Sequence, residues 1–187
     1  MLSSLWAFRH FILSSVRADM RNRFARSRLG AMWFILHPLA QALIFSIVLA
    51  EVLGARLQGV DVEAAYPIYL LSGLAAWTLF SEILTRSVGI FIEQANALKK
   101  IRFPRLSLPI IVLGSALVNH FLLLAAILVI FAFMFGHYAN TAWLAIPIGI
   151  ALISMLAFGV GVFLGVLNVF SRDVAQVMTV VVQLWFW

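Results

Sequence analysis

The sequence predicts an all-α, polytopic integral membrane protein: an N-terminal amphipathic interface helix, four complete transmembrane helices and a truncated fifth. Hydrophobic residues make up 64% of its 187 residues and charged residues only 11%, whereas a soluble domain has roughly 45–50% apolar and about 25% charged residues. The mean hydropathy is +1.07, and a soluble domain of this size would have to expose much of that apolar surface to water. Composition therefore excludes a soluble enzyme, a disordered tail and a fibrous protein.

The charge balance and the absence of cysteine exclude further classes. The chain carries 13 Lys and Arg against 7 Asp and Glu, a formal net charge of +6, and it has no cysteine. In a membrane protein such an excess is typical of loops that face anionic lipid in the cytoplasm. Because the cations flank apolar runs, nucleic acid is not an expected partner. The missing cysteines exclude disulfides, thiolate metal sites and cysteine nucleophiles.

Residues 1–29 predict a helix that lies in the membrane interface. Apolar residues recur at spacings of three or four, which is a helical face: Leu5, Phe8, Ile12, Val16, Met20 and Phe24. Six arginines surround it, Arg21 and Arg28 among them, and the segment ends at Gly30. This pattern is typical of a helix with its apolar face in lipid and its arginines toward phosphates. The compatible alternative is a basic flank that only holds the N-terminus in the cytoplasm.

The remainder, residues 30–187, predicts a transmembrane domain. Four stretches are long and apolar enough to cross about 30 Å of hydrocarbon: residues 31–53, 66–92, 106–135 and 143–170. Residues 174–187 are apolar too, but these 14 residues reach only roughly 21 Å as a helix. We expect them to be the start of a truncated fifth span, with a re-entrant or interfacial segment as the alternative.

The distribution of cations predicts the orientation of these spans. The N-terminal segment and the links after the second and fourth spans together carry eleven Lys and Arg, whereas the two opposite links carry Arg56 alone. Because cytoplasmic loops carry the excess of Lys and Arg, the N-terminus is expected in the cytoplasm. Arg86 is left inside the second span.

Three ionisable positions inside the predicted spans are candidates for a functional role: Glu82, Arg86 and His120. Glu82 and Arg86 are four residues apart, a spacing that favours a helical ion pair. Such a pair can mark a transport pathway, but near a cytoplasmic end a structural pair that snorkels toward water is favoured. For His120, a functional group and a histidine bonded to a neighbouring helix are equally open. Gly161 and Gly165 favour close helix approach, within or between subunits.

The sequence offers no local motif for covalent chemistry. It has no P-loop and no HExxH or GxSxG motif, so ATP hydrolysis or metal-dependent hydrolysis by those routes is not expected in this chain. The four histidines are scattered over different segments, which gives no metal site by local spacing. We therefore expect no cofactor and no catalytic residue.

Four ordered segments together resemble one known family. The first runs from Arg21 through Ser27-Arg28-Leu29-Gly30 to Leu36-His37-Pro38-Leu39, and the others are 69–77, 96–104 and 168–174. They are similar to the ABC-2 type permeases that export bacterial polysaccharides such as O-antigen, capsule and teichoic acid. Such permeases have six helices, with re-entrant gate segments on the outer side before the last helix. Those parts are expected beyond the predicted fifth span.

The resemblance implies that the membrane path and ATP hydrolysis belong to separate subunits. The permease would be a homodimer in the bacterial inner membrane, a separate ATP-binding subunit would hydrolyse ATP, and the substrate would be a lipid-linked polysaccharide. Residues expected to couple the two subunits are Asn96, Lys99, Lys100, Arg102, Phe103, Pro104, Arg172 and Asp173, and the interface helix would add Arg21, Phe24, Arg28 and Gly30. The alternative for the basic cluster is that it only enforces topology.

Other functions stay open on the sequence. Within transport, the alternative is an ABC-2 exporter of a small hydrophobic drug or lipid, which would favour an oily closed cavity over a polar and aromatic conduit. A membrane-bound acyl- or glycosyltransferase would need His or Asp residues clustered near one membrane face. A purely structural assembly subunit is the third alternative.

Overall fold

The described part of the chain is helical. The computed structural model describes residues 8–25, 65–100, 103–135 and 141–187, with five isolated positions between 32 and 44. In these ranges the helices are α1 (Arg9–Ala25), α2 (Ala65–Glu93), α3 (Ala95–Lys100), α4 (Ser107–Phe135), α5 (Ile146–Phe170) and α6 (Asp173–Phe186), with a 3-10 turn at Thr141–Ala145 before α5. The all-α prediction is confirmed for these residues.

Three helical segments are long and apolar enough to cross a membrane. They are Tyr69–Glu93, Ser107–Val129 and Trp143–Phe170, which fall within or close to the predicted spans 66–92, 106–135 and 143–170. α6 is apolar but has only 14 residues. Nearly all of the predicted first span, 31–53, lies outside the described residues.

α2 is the central helix of the bundle. Buried residues along its length pack successively against α4, α5 and α6, and the most extensive contact is with α5. Leu71 contacts the late part of α4, whereas Ile90 contacts its beginning. α4 therefore runs antiparallel to α2. Asn168, late in α5, contacts Val88, late in α2, so α2 and α5 run parallel.

This arrangement gives the bundle two distinct ends. We call the end that carries residues 93–107 and 170–173 the loop end, and the end near Tyr69, Trp143 and Phe186 the far end. The alternating directions of α2, α4 and α5 are those of successive spans joined by short links, as the sequence predicts.

Two glycines let α5 approach the backbone of α2. A Cβ added to Gly165 would lie 2.5 Å from the carbonyl oxygen of Ser87, and one added to Gly161 would lie 2.7 Å from the Cβ of Ser87. Only a residue without a side chain fits at that separation, which is the use of small residues at membrane helix contacts. The sequence left open whether this glycine pair contacts a helix of the same subunit or of another; the structure shows a contact with a helix of the same chain.

Asn168 holds three segments together at the loop end. Its side chain is 2% exposed; the Nδ2 group donates to the carbonyl oxygen of Val88 (2.9 Å) and Oδ1 accepts from the backbone N–H of Ala175 (3.1 Å). The N–H of Ala175 lies in the first turn of α6, where amides have no partner within the helix. Asn168 therefore fixes the start of α6 against both α5 and α2.

α1 packs differently from the expectation of a helix with its apolar face in lipid. α1 contacts α4, Met20 is 9% exposed, and a Cβ on Gly114 would lie 3.0 Å from Val16 Cγ2. The predicted apolar face is thus partly covered by α4, because Gly114 leaves a recess there. Leu13 is 65% exposed and stays available to lipid, while Arg17 and Arg21 are also exposed.

The surface of the bundle is apolar, as a lipid-facing surface must be. On α5, Leu152, Met155 and Phe163 are between 63% and 72% exposed. In water these side chains would form a large unfavourable patch, whereas lipid solvates them. The structure therefore agrees with the composition in requiring a membrane around the described helices.

Gly165 and Gly159 provide a matched test of the α2–α5 contact. Gly165→Ala should lower the stability of the purified protein by about 1–3 kcal/mol, because the added methyl group overpacks the contact with Ser87. Gly159→Ala should be neutral or slightly stabilising, since nothing lies within 4 Å of its Cβ position and alanine favours a helix over glycine. Thermal unfolding in detergent measures both. Equal stability of the two variants would contradict the close contact.

Candidate functional site

A network of polar side chains joins α1, α2 and α4 inside the bundle. The Arg86 guanidinium contacts Asp19 of α1 (Nη2 to Oδ2, 2.9 Å) and Glu82 of its own helix (Nη1 to Oε1, 3.3 Å). Asn119 of α4 donates from Nδ2 to the same oxygen of Glu82 (3.0 Å). The side chains of Arg86, Asp19 and Glu82 are about a quarter exposed, at 25%, 28% and 24%. We call these four residues the polar network.

The network lies within the length of the candidate spans. Arg86 stands seven residues before the end of α2, roughly 10 Å from the loop end at 1.5 Å per residue. Glu82 stands one further turn inward. The ion pair expected from the spacing of Glu82 and Arg86 is present, and Asp19 adds a second carboxylate from another helix. Charged groups at such depth are costly unless they are paired or face a water-filled space.

Beside the network lies a groove that we call the polar groove. It has a volume of about 550 Å³ and lies between α2, α4 and α6, within the roughly 300–1,000 Å³ range of ligand sites. Eight of its lining residues carry polar side chains: Thr78, Ser81, Glu82, Thr85, Asn119, His120, Thr179 and Gln183. Trp33, one of the isolated described positions, also lines it. The groove thus offers hydroxyl, amide and carboxylate groups at membrane depth.

His120 is buried between helices without a visible partner for one ring nitrogen. Its side chain is 6% exposed, and Nδ1 has no hydrogen-bond partner among the described residues. The sequence left open whether His120 is a functional group or a histidine bonded to a neighbouring helix. Among the described residues, Nδ1 makes no such bond. The imidazole therefore keeps capacity for one more hydrogen bond.

An aromatic cluster joins α2 and α6 near the far end. The ring centroids of Trp77 and Phe80 lie 6.4 and 5.4 Å from that of Trp185 on α6, both with edge-to-face geometry. Phe186 lies 5.7 Å from Trp77. Such pairs contribute roughly 0.5–1.5 kcal/mol each beyond their burial, so they hold the last turns of α6 against α2.

The segments expected to couple this chain to a partner lie together at the loop end. Asn96 and Lys99 are exposed on α3, and Arg172 and Asp173 are exposed at the start of α6. Lys100 ends α3, and Arg102 lies outside the described residues. The carbonyl oxygen of Pro104 accepts a bond from the Ser107 N–H (2.9 Å), which forms the turn into α4.

Phe103 points into the protein. Its ring centroid lies 5.4 Å from that of Phe11 on α1, and it packs against the buried cluster of Ile90, Leu108 and Val112. The sequence predicted an apolar anchor for a partner; the structure places this ring as a link between the loop and α1. Phe24 lies in the last turn of α1, while Arg28 and Gly30 lie outside the described residues.

Sequence reasoning missed Asp19 of the polar network, the role of Asn168 at the loop end, and the polar face of α6. Asp19 was not identified as the partner of Arg86, although it is the only acidic residue among the first 50 and Arg86 the only cation within a predicted span. That coincidence was the available signal. Asn168 appeared only as part of a resembling segment. Thr179 and Gln183 are four residues apart, which places them on one helical face.

The comparisons with known proteins agree on one family. The sequence model described as ABC-2 type transporter matches residues 11–187. The chain is 30% identical over 175 residues to an O-antigen export system permease protein RfbA of Klebsiella pneumoniae, a match covering 90% of this chain and 63% of that protein. It is 22% identical over 186 residues to RfbA of Myxococcus xanthus (100% and 69% covered). A polysialic acid transport protein KpsM of Escherichia coli is 29% identical over 169 residues (88% and 62% covered).

The chain spans only part of the length of these relatives. The chain spans 63% of the length of the Klebsiella pneumoniae relative and 62% of that of the Escherichia coli relative. The matched residues include α1, all three candidate spans and α6. The polar network and the polar groove therefore lie inside the matched region.

A double-mutant cycle tests the bond between α1 and α2. Asp19→Asn and Arg86→Gln should each lower the thermal stability of the purified protein, because removing one partner of a half-buried ion pair leaves the other charge poorly compensated. The double variant should lose less than the sum, with a coupling energy of about 0.5–3 kcal/mol. Thermal unfolding in nanodiscs gives all four corners of the cycle.

Arg17→Gln is the matched control, since Arg17 is exposed on the same helix. Paired with Arg86→Gln, it should show additive changes, as distant independent sites do. Additive losses for Asp19 and Arg86 would mean that this ion pair does not hold α1 in place.

Proposed function

The chain belongs to the ABC-2 type transporter family, and from this premise we propose that it is the permease subunit of an ATP-binding-cassette exporter of lipid-linked polysaccharide. The carrying observation is the polar groove, whose hydroxyl, amide and carboxylate groups lie at membrane depth. The names of the relatives, which speak of O-antigen and polysialic acid, support the substrate class. ATP would be hydrolysed by a separate ATP-binding subunit, and this chain would supply the path.

The polar groove is proposed as one side of a conduit completed by a second copy of the chain. Sugar hydroxyls both donate and accept hydrogen bonds, and the Gln183 side chain can do the same. The hydroxyls of Thr85 and Thr179 donate to the carbonyl oxygens of Ser81 and Ala175 and can still accept. A pore selects by its diameter and by the donors and acceptors along its wall. Apolar atoms supply most of the groove surface, but an exporter of a small hydrophobic drug or lipid would not need the hydrogen-bonding groups that line it, so their presence favours the polysaccharide.

The proposed orientation places the loop end in the cytoplasm of a bacterial cell and the bundle in its inner membrane. The eleven-to-one excess of Lys and Arg supports it, because cytoplasmic loops carry that excess. In the proposed topology, residues 31–53 form the first span and α6 belongs to a fifth. The N-terminus then lies on the cytoplasmic side.

The loop end is proposed to meet the ATP-binding subunit. Asn96 and Lys99 on α3 and the start of α6 at Arg172 and Asp173 present polar and charged groups at that end. Phe103 would transmit movement of α3 to α1 through its contact with Phe11. Asn168 would do the same for α6, since it bonds the first turn of α6 to the backbone of α2.

Export by reconstituted vesicles tests the function and the groove together. Inverted vesicles that contain the full permease with its ATP-binding subunit should accumulate a lipid-linked polysaccharide only when ATP is present. Gln183→Leu should lower the rate by about fivefold, the factor for one lost hydrogen bond of about 1 kcal/mol. Val177→Leu, on the same helix but outside the groove lining, should leave the rate unchanged.

Other outcomes would identify the alternatives. ATP-dependent accumulation of a hydrophobic dye without polysaccharide would indicate a drug or lipid exporter. Growth of the glycan or its acylation in these vesicles would indicate a transferase. Normal assembly of partner proteins without any transport would indicate a structural subunit.

A comparison of two phenylalanines tests the coupling. If Phe103 transmits movement through Phe11, then Phe103→Ala and Phe11→Ala should both abolish stimulation of ATP hydrolysis by substrate while the complex with the ATP-binding subunit is recovered normally. The reason is that each variant removes the same aromatic contact. Lys99→Ala should have a smaller effect that weakens further as salt rises, because exposed charges mainly steer association.

The two possible roles of Phe103 give different patterns. Loss of the complex in Phe103→Ala alone would mean that this ring docks into the partner. Unchanged stimulation in both phenylalanine variants would leave the basic segment as a topology signal and would overturn the coupling proposal.

A further inference from the structure

A second cavity lies toward the far end, and we call it the apolar cavity. It has a volume of about 310 Å³, is partly open, and lies between α2, α4, the 3-10 turn and α5. Its wall is almost wholly apolar, with Leu79, Leu124, Ile127, Trp143 and Ile150 among the lining residues. The volume is about twice that of the roughly 150 Å³ cavity known to bind benzene.

Small residues keep this space open. Gly149 lines the cavity, and a Cβ added there would meet no atom of the described residues within 4 Å. Unlike Gly161 and Gly165, Gly149 is therefore not required by a close helix contact. A side chain at this position would project into open space without a clash.

Water is a poor occupant, because an apolar cavity of this kind stays dry and takes apolar molecules. Each of the enclosing helices carries a candidate membrane span. An occupant would therefore reach the cavity from the bilayer and must dissolve in it.

His120 is the exception in the wall. It lines the apolar cavity as well as the polar groove, and its Nδ1 has no hydrogen-bond partner among the described residues. A buried polar atom without a partner carries a desolvation cost. Two other wall residues carry polar side-chain atoms: Ser72 already donates its hydroxyl to the carbonyl oxygen of Tyr69 (2.7 Å), and Trp143 has an indole N–H that can only donate. Among the described wall residues, His120 therefore supplies the buried ring nitrogen that lacks a partner.

The depth of His120 restricts what can satisfy it. It lies two residues from the centre of the candidate span Ser107–Val129, or about 3 Å along the helix axis. The nearer ester and headgroup oxygens of a phospholipid lie about 12 Å away, at the edge of a hydrocarbon layer of about 30 Å. An ordinary acyl chain would offer His120 only methylene groups. A ligand that pairs with His120 must carry its own polar group to that depth.

From the apolar wall and the buried imidazole, we propose that this cavity binds a small lipophilic alcohol that enters from the bilayer and hydrogen-bonds His120. A hydroxyl fits better than a carbonyl because it both donates and accepts, so it can pair with the imidazole in either tautomer. The aliphatic part fills the space beside Gly149. The proposal does not depend on the transport function.

The test compares two photoreactive probes of equal length, a diazirine-bearing octanol and a diazirine-bearing octane. Each is added to the full protein in nanodiscs, and the labelled residues are mapped by mass spectrometry. The octanol should label the cavity wall about fivefold more than the octane, the factor for one hydrogen bond of about 1 kcal/mol. Unlabelled octanol should compete, and unlabelled octane should compete less well. This comparison needs no variant and so cannot fail through misfolding.

Matched variants locate the site. Gly149→Leu should reduce labelling of the wall to background, because the new side chain fills the cavity. Gly159→Leu, on the same helix with equally open space around it but outside the cavity lining, should label as the wild type does. His120→Leu should remove the preference for octanol over octane while labelling by octane persists.

Each labelling result either supports or contradicts binding of an alcohol in the apolar cavity. Preference for the alcohol together with its loss in Gly149→Leu and His120→Leu would support the site. Equal labelling by octanol and octane in the wild type would overturn it and leave a space filled by ordinary acyl chains. Undiminished labelling in Gly149→Leu would overturn it too, since binding would then lie elsewhere. Vesicle export of polysaccharide is a separate measurement, so failure of this proposal and of the transport function are distinguishable.

Discussion

Within hydrocarbon a polar side chain has no water to bond, so each polar group on a spanning helix needs a partner on a neighbouring helix or a space that holds water. α2 carries the greatest share of this demand. Arg86 and Glu82 find partners on α1 and α4, and the carbonyl oxygen of Val88 accepts from Asn168 of α5. The helices around α2 are thus held by directional bonds as well as by packing.

These bonds concentrate in the half of α2 near the loop end. Ser87 meets the two glycines of α5, Asn168 connects Val88 to the first turn of α6, and Phe103 connects the loop to α1. The far half of α2 is held instead by apolar clusters and aromatic rings. Apolar contacts lack the directional preference of hydrogen bonds and permit sliding at smaller cost. The loop end of α2 is therefore held by directional bonds and close backbone contacts, and the far end, where both the aromatic cluster and the apolar cavity lie, by apolar packing.

The predictions that agree with the structure came from short-range features of the sequence. The long apolar runs predicted spans that agree with α2, α4 and α5 to within a few residues, and the spacing of Glu82 and Arg86 predicted their ion pair. Pairings across the chain were not readable in the same way. Asp19 and Arg86 are 67 residues apart, and nothing local says which face of α1 meets α4. Phe103 shows the same limit, because an aromatic residue among cations fits an exposed anchor as well as an inward link.

His120 shows how closely two different environments approach each other in this bundle. One imidazole lines both the polar groove and the apolar cavity, so the two spaces share a wall one side chain thick at that point. Its neighbour Asn119 bonds Glu82, and Glu82 bonds Arg86. A shift of α4 that widened the apolar cavity would therefore pull on the same network that ties α1 to α2. Through His120 and its neighbour Asn119, the apolar cavity therefore adjoins the hydrogen-bonded residues that tie α1 to α2.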